Sequence, residues 1–155
     1  MAAEYLANAQ QTVNLNSPIV FTASIPCTKG FVYHEDETGI FILRGIVNNP
    51  CANFATYQVV FNGNIALPTG ATVVPIAISV TTNGEERPTS KAIYTPAAVE
   101  QFGNVTSTTI IKVPKGCCFT LSVDYVPANA TDTPATSIIV ENANFVINRI
   151  AWKED

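Results

Sequence analysis

The chain has 155 residues, 47% of them hydrophobic and only 13% charged, with a formal net charge of −4 at pH 7. That length and apolar content suit one domain with one core. The acidic balance and the absence of a Lys/Arg cluster argue against a nucleic-acid partner, whose phosphates need cations, and no run approaches the ~18 apolar residues of a membrane span.

Residues 1–10, MAAEYLANAQ, read as mildly helical but too short for a stable isolated helix, hence as a flexible or partner-docked arm. They show neither a basic nor an apolar leader region, so synthesis and assembly in a cytoplasm are expected. Residues 12–15 and 18–22 (PIVFT) form a broken first strand, and a Pro-Cys-Thr-Lys-Gly turn at 26–30 leads to a strand at 31–34. The acidic loop EDETG precedes the apolar strand at 40–47, which Asn48-Asn49-Pro50 ends.

Residues 55–65, ATYQVVFNGNI, alternate with period two and put Tyr57, Val59 and Phe61 on one face. After Pro68-Thr69-Gly70 comes a strand at 73–81, where Pro75 predicts an edge or a bulge. Asn83-Gly84 is the strongest hairpin signal in the chain. A short strand at 91–95 is followed by a single helical turn at 96–102. The runs at 109–113 and 119–123 flank Pro114-Lys115-Gly116 and read as an antiparallel hairpin, with Phe119, Leu121 and Val123 inward.

A polar loop at 127–136 leads to closing strands at 137–140 and 144–150. In the last, Phe145, Ile147 and Arg149 share one face, and residues 152–155 are a tail. About ten short strands, with turn signals roughly every 8–12 residues and no long amphipathic helix, predict an all-β sandwich or jelly roll over residues 11–151.

Four segments, ATYQVVFNGNI, VPIAISVTTNGEE, STTIIKVPKGCCFTLSV and ANFVINRI, stand in an order that resembles the trimeric jelly-roll superfamily of tumour necrosis factor and the complement globular heads, including its bacterial branch. Cys117 stands where relatives usually carry an acid after the Lys-Gly turn. The resemblance implies a homotrimer with one sheet facing the threefold axis. It implies a core of Tyr57, Val59, Phe61, Phe119, Leu121 and Val123, with Gln58, Val60, Thr106, Thr108, Cys118 and Thr120 turned toward the axis.

The phrases FNGNIALPTG, TPAAVEQFGNV and VPKGCCFTLSV also resemble small proteins encoded beside capsid genes in phages and prophages of gut Firmicutes. With the jelly-roll pattern, the low charge and the lack of a leader or a catalytic constellation, that likeness points to a non-enzymatic structural protein on a virion surface, as a head decoration or fibre tip. Its partners would be sister copies, the major capsid protein or another virion protein, and a host-surface glycan. Two alternatives are a bacterial cell- or spore-surface adhesion module of the same fold and a small-molecule sequestering protein with pockets between protomers.

No cofactor, metal or catalytic residue is expected. The one histidine, His34, excludes a multi-histidine metal site, and no GxSxG, phosphate-binding or dinucleotide fingerprint occurs. Glu35, Asp36 and Glu37 lack the spacing of a dedicated calcium loop and read as a solvated loop. Among Cys27, Cys51, Cys117 and Cys118, free and largely buried thiols are expected, with a Cys27–Cys51 bridge as the alternative if the protein matures outside the cell. The sequons at Asn104 and Asn129 matter only in a eukaryotic secretory pathway.

Overall fold

The computed structural model describes residues 2–25, 31–46 and 51–150. Within them the alternating segments form strands β1 (Ala2–Ala7), β2 (Gln11–Asn14), β3 (Ala23–Ile25), β4 (Val32–His34), β5 (Phe41–Arg44), β6 (Phe54–Ala66), β7 (Ile76–Thr82), β8 (Glu85–Glu86), β9 (Ala92–Tyr94), β10 (Gly103–Pro114), β11 (Cys118–Val126) and β12 (Ser137–Ile150). One sheet has the order β10-β6-β12-β1-β3, with β2 also on β12. The other has β4-β5-β11-β7-β8, with β9 also on β7. Every ladder between these strands is antiparallel, and the two sheets stack as a sandwich.

The period-two pattern decides which side chains lie between the sheets. Tyr57, Val59, Phe61, Leu121, Val123, Phe145 and Ile147 are buried, and Phe119 is partly buried against the same core. An aromatic group joins the two layers. The Phe41 ring of β5 lies 4.6 Å from that of Tyr5 in β1 and 5.3 Å from that of Phe145 in β12. Edge-to-face packing of this kind adds about 0.5–1.5 kcal/mol per pair beyond the area buried.

The residues expected to form an arm instead make β1, which pairs with β12 on one side and β3 on the other. Ala3, Tyr5 and Ala7 are buried, so Ala and Leu, good helix formers in isolation, follow the ladder that their neighbours offer.

The expected hairpin at Pro114-Lys115-Gly116 is not one. β10 pairs with β6, whereas β11 pairs with β5 and β7, so this turn carries the chain from one sheet to the other. Gly45 fits under it, donating its N–H to the Cys117 carbonyl at 2.9 Å. A Cβ at Gly45 would lie 2.1 Å from the Pro114 carbonyl oxygen.

Three smaller expectations change in the same way. Pro75 lies just before β7, which is an interior strand flanked by β11 on one side and by β8 and β9 on the other. Residues 96–102 form no helix. Residues 18–22 make a strap rather than a full strand, held by a bridge from Pro18 to Asp124 and by the Ile19 N–H on the Val123 carbonyl at 2.8 Å. Asn83-Gly84 does form the β7–β8 hairpin, with both residues at positive φ, 52° and 79°, as a two-residue I′ turn requires. Cys27 and the tail at 152–155 lie outside the described residues.

Candidate association face

Because opposed residues of an antiparallel ladder share a face, the register builds the outer surface of the first sheet row by row. Thr108, Val60, Val146, Glu4 and Ile25 stand side by side across the five strands β10, β6, β12, β1 and β3. The next row is Thr106, Asn62, Asn144, Leu6 and Ala23, and the row on the other side is Ile110, Gln58, Asn148 and Ala2. Beyond that, Lys112 opposes Thr56, which opposes Ile150.

The surface is a mixture of amides, threonines and aliphatics. Ile110 and Ile25 are 53% and 57% exposed. The amides hold one another: Asn104 Nδ2 donates to Asn62 Oδ1 at 2.7 Å and to Asn64 Oδ1 at 3.1 Å. Asn144 Nδ2 donates to Glu4 Oε1 at 2.5 Å. The charges on this face are Lys112 on β10, Glu4 on β1, and Glu141 on β12 opposite Asn64.

Of the six residues expected around an axis, Gln58, Val60, Thr106 and Thr108 lie together here. Cys118 and Thr120 do not. They sit on the outer surface of the second sheet, opposite Arg44 and Ile42, because the β10–β11 turn changes sheets. Cys118 lines a shallow groove of about 450 Å³ with Val32, Tyr33, Ile42 and Arg44. Cys117 and Cys118 are exposed free thiols and Cys51 is exposed, contrary to the buried state expected of them. Asn62, Asn144 and Ile110 were not among the expected residues, although the same alternation marks them as outward, and Glu4 was not because residues 1–10 read as an arm.

The second sheet's outer surface is built differently. Ser79 is fully buried beneath the turn at Pro88–Ser90. Ser90 Oγ accepts the Val80 N–H at 3.0 Å and donates to the Arg87 carbonyl at 2.6 Å, while Ser107 Oγ of β10 donates to the Ser90 carbonyl. Nearby, Asp124 accepts a hydrogen bond from Ser122 Oγ at 2.8 Å. Burial raises its carboxyl above the ordinary range, and the Ser122 bond offsets part of that.

His34, Tyr57 and Arg149 serve packing. His34 Nε2 lies 2.8 Å from the Thr38 carbonyl and its ring stacks on Phe41 at 4.5 Å. Tyr57 donates its hydroxyl to the Arg44 carbonyl at 2.5 Å, and burial raises its pKa. The Arg149 guanidinium covers the Phe31 ring at 3.7 Å. Among the described residues no three His, Cys, Asp or Glu side chains are grouped to hold a metal ion.

No protein-family model matches the chain, and no curated protein matches it by sequence. Among solved structures it is similar to the globular domain of zebrafish complement 1qA protein, with a TM-score of 0.62 and 13% identity over 98% of each chain. It is also similar to the Eiger TNF of S. frugiperda, with a TM-score of 0.63 and 10% identity over 100% of this chain and 95% of that one. At such identities the likeness is one of fold: the chain has the jelly roll of tumour necrosis factor and the complement heads.

Proposed function

We propose that this chain is a non-enzymatic structural protein that works as a homotrimer, joined through the outer face of β10, β6, β12, β1 and β3. The observation that carries this reading is the make-up of that face, with exposed Ile110 and Ile25 among half-buried Val60, Val146 and Leu6 and few charges. Strand spacings of about 4.8 Å and two-residue repeats of about 6.8 Å give it roughly 600 Å² of projected area. That is the scale of one partner's share in a stable interface, about 800 Å². Neutral amides and threonines desolvate at far lower cost than ions, and their hydrogen bonds can be remade across a contact. The resemblance to trimeric jelly rolls supports the number three.

Size-exclusion chromatography with light scattering on the full chain tests this directly. Three chain masses are expected at micromolar concentration, and Val60→Arg is expected to shift the protein to a single chain mass. A monomeric wild type at that concentration overturns the reading.

The setting we propose is a phage particle, as head decoration or fibre tip, bound to a capsid or other virion protein, with a host-surface glycan as a further partner. The likeness of three phrases to capsid-adjacent proteins supports it. Negative-stain images of particles made with and without this protein test the setting, and identical particles, with the chain absent from both, refute it.

A further inference from the structure

The two sides of the proposed face carry opposite charge. On β10, Lys112 is exposed, and the Arg87 guanidinium rests at the same edge, with Nη2 on the Ile110 carbonyl at 3.3 Å. On β1, three strands away in the sheet order, Glu4 is half-buried among Val146, Ile25 and Leu6. Its carboxylate is held by the Asn144 amide at 2.5 Å. No cation lies beside it in those rows. Among the described residues the one ion pair is Lys91–Glu86 at 3.0 Å, on the other sheet. Three strand spacings, about 14 Å, exceed the ~8 Å screening length at physiological salt, so Lys112 and Glu4 of one chain do not neutralise each other.

A closed ring of three copies uses a heterologous contact, in which one side of a subunit's face meets the other side of its neighbour's. An anion on one side and cations on the other are complementary in that geometry. A twofold contact whose axis runs across the strands would instead set each charge against its own kind. Resting on the face proposed above, we infer that Lys112 of one copy pairs with Glu4 of the next around the ring. The pair fixes the direction and register of a contact whose remaining residues are mostly neutral. Asn144 holds the carboxylate in place before association, which lowers the ordering cost of the pairing.

Sedimentation equilibrium of the full chain tests the pairing through charge reversal. Glu4→Lys and Lys112→Glu are each expected to weaken association at least tenfold, and the double reversal to return it to within about threefold of wild type. Glu141→Gln, the remaining carboxylate on the face, is expected to leave association unchanged, and raised salt to weaken wild type more than the Glu4→Gln/Lys112→Gln pair. Thermal melts of each variant identify misfolding. Where a reversal does not fold, the Glu4→Gln and Lys112→Gln double-mutant cycle replaces it, with a coupling of at least fivefold expected. If the double reversal is no better than the singles, or Glu141→Gln alone disrupts association, the pairing is refuted. If Val60→Arg dissociates the protein while the Glu4 and Lys112 variants do not, the face stands and only the pairing falls. If Val60→Arg also has no effect, the face itself is wrong.

Discussion

The two outer surfaces of this sandwich are made from the same kind of strand and solve the problem of exposed backbone and side chain in different ways. On the β10-β6-β12 side the strands are 12, 13 and 14 residues long and leave a broad neutral surface uncovered. On the β11-β7 side the chain covers itself. The Pro88–Ser90 turn lies over β7, buries Ser79 and Ser90, and ties their hydroxyls to the Val80 N–H and the Arg87 carbonyl. Lys91 closes the same region through Glu86 and the Pro127 carbonyl. The β7 part of that sheet is thus finished within the chain, its β4 and β9 edges keep Tyr33 and Ile93 exposed, and the first sheet is finished, on our reading, by sister copies.

That contrast can be broken from the middle outward. The largest effect should come from Phe41→Ala, which removes the ring that touches Tyr5 and Phe145 across the layers. A loss of about 3–5 kcal/mol is expected in chemical denaturation, with both surfaces lost together. Ser90→Ala should act on one side alone. It leaves the buried Val80 N–H without its acceptor, which costs about 1–3 kcal/mol. The melting temperature should fall while the mass by light scattering stays that of the wild type.

Asp124→Asn sharpens the difference through pH. Burial raises the Asp124 carboxyl in the folded chain above its unfolded value of 3.8, so the ionised form is disfavoured in the native state. The resulting penalty is fully present above the folded pKa and disappears as pH falls through it toward 3.8. The variant should therefore melt higher than wild type at neutral pH, with the gap closing on acidification. A gap that widens on acidification would reverse this assignment. The smallest effect is expected from Cys118→Ser, within about 0.5 kcal/mol and without a change of mass. A dissociated Cys118→Ser protein would instead place the contact on the second sheet.

Much of the architecture is legible in the residues because burial follows alternation. Tyr57, Val59, Phe61, Leu121 and Val123 are inward in the sequence pattern and buried in the structure. Asn83-Gly84 announces its hairpin because few other pairs accept two successive positive φ values. Alternation names a face but not a partner, however. The Pro114–Gly116 turn suits a hairpin as well as a crossing between sheets, and only long-range pairing with β6 and β7 decides between them. The same gap separates Cys118 and Thr120 from Gln58, Val60, Thr106 and Thr108: all six point outward, but from different layers. β1 escapes notice because AAEYLA has the composition of a helix, and its strand state depends on β12, more than a hundred residues away in sequence.

Placing β12 between β6 and β1 has a kinetic consequence. The ribosome delivers Ser137–Ile150 after every other strand described here, yet Ala2–Ala7 finds its main ladder only on that segment. Until then the first strand and one edge of β6 wait unsealed, with Tyr5, Val59 and Phe61 accessible to any sticky neighbour. Such distant closure makes for slow maturation and a long interval of aggregation risk, so the yield of soluble protein should depend on how quickly that segment clears the exit tunnel.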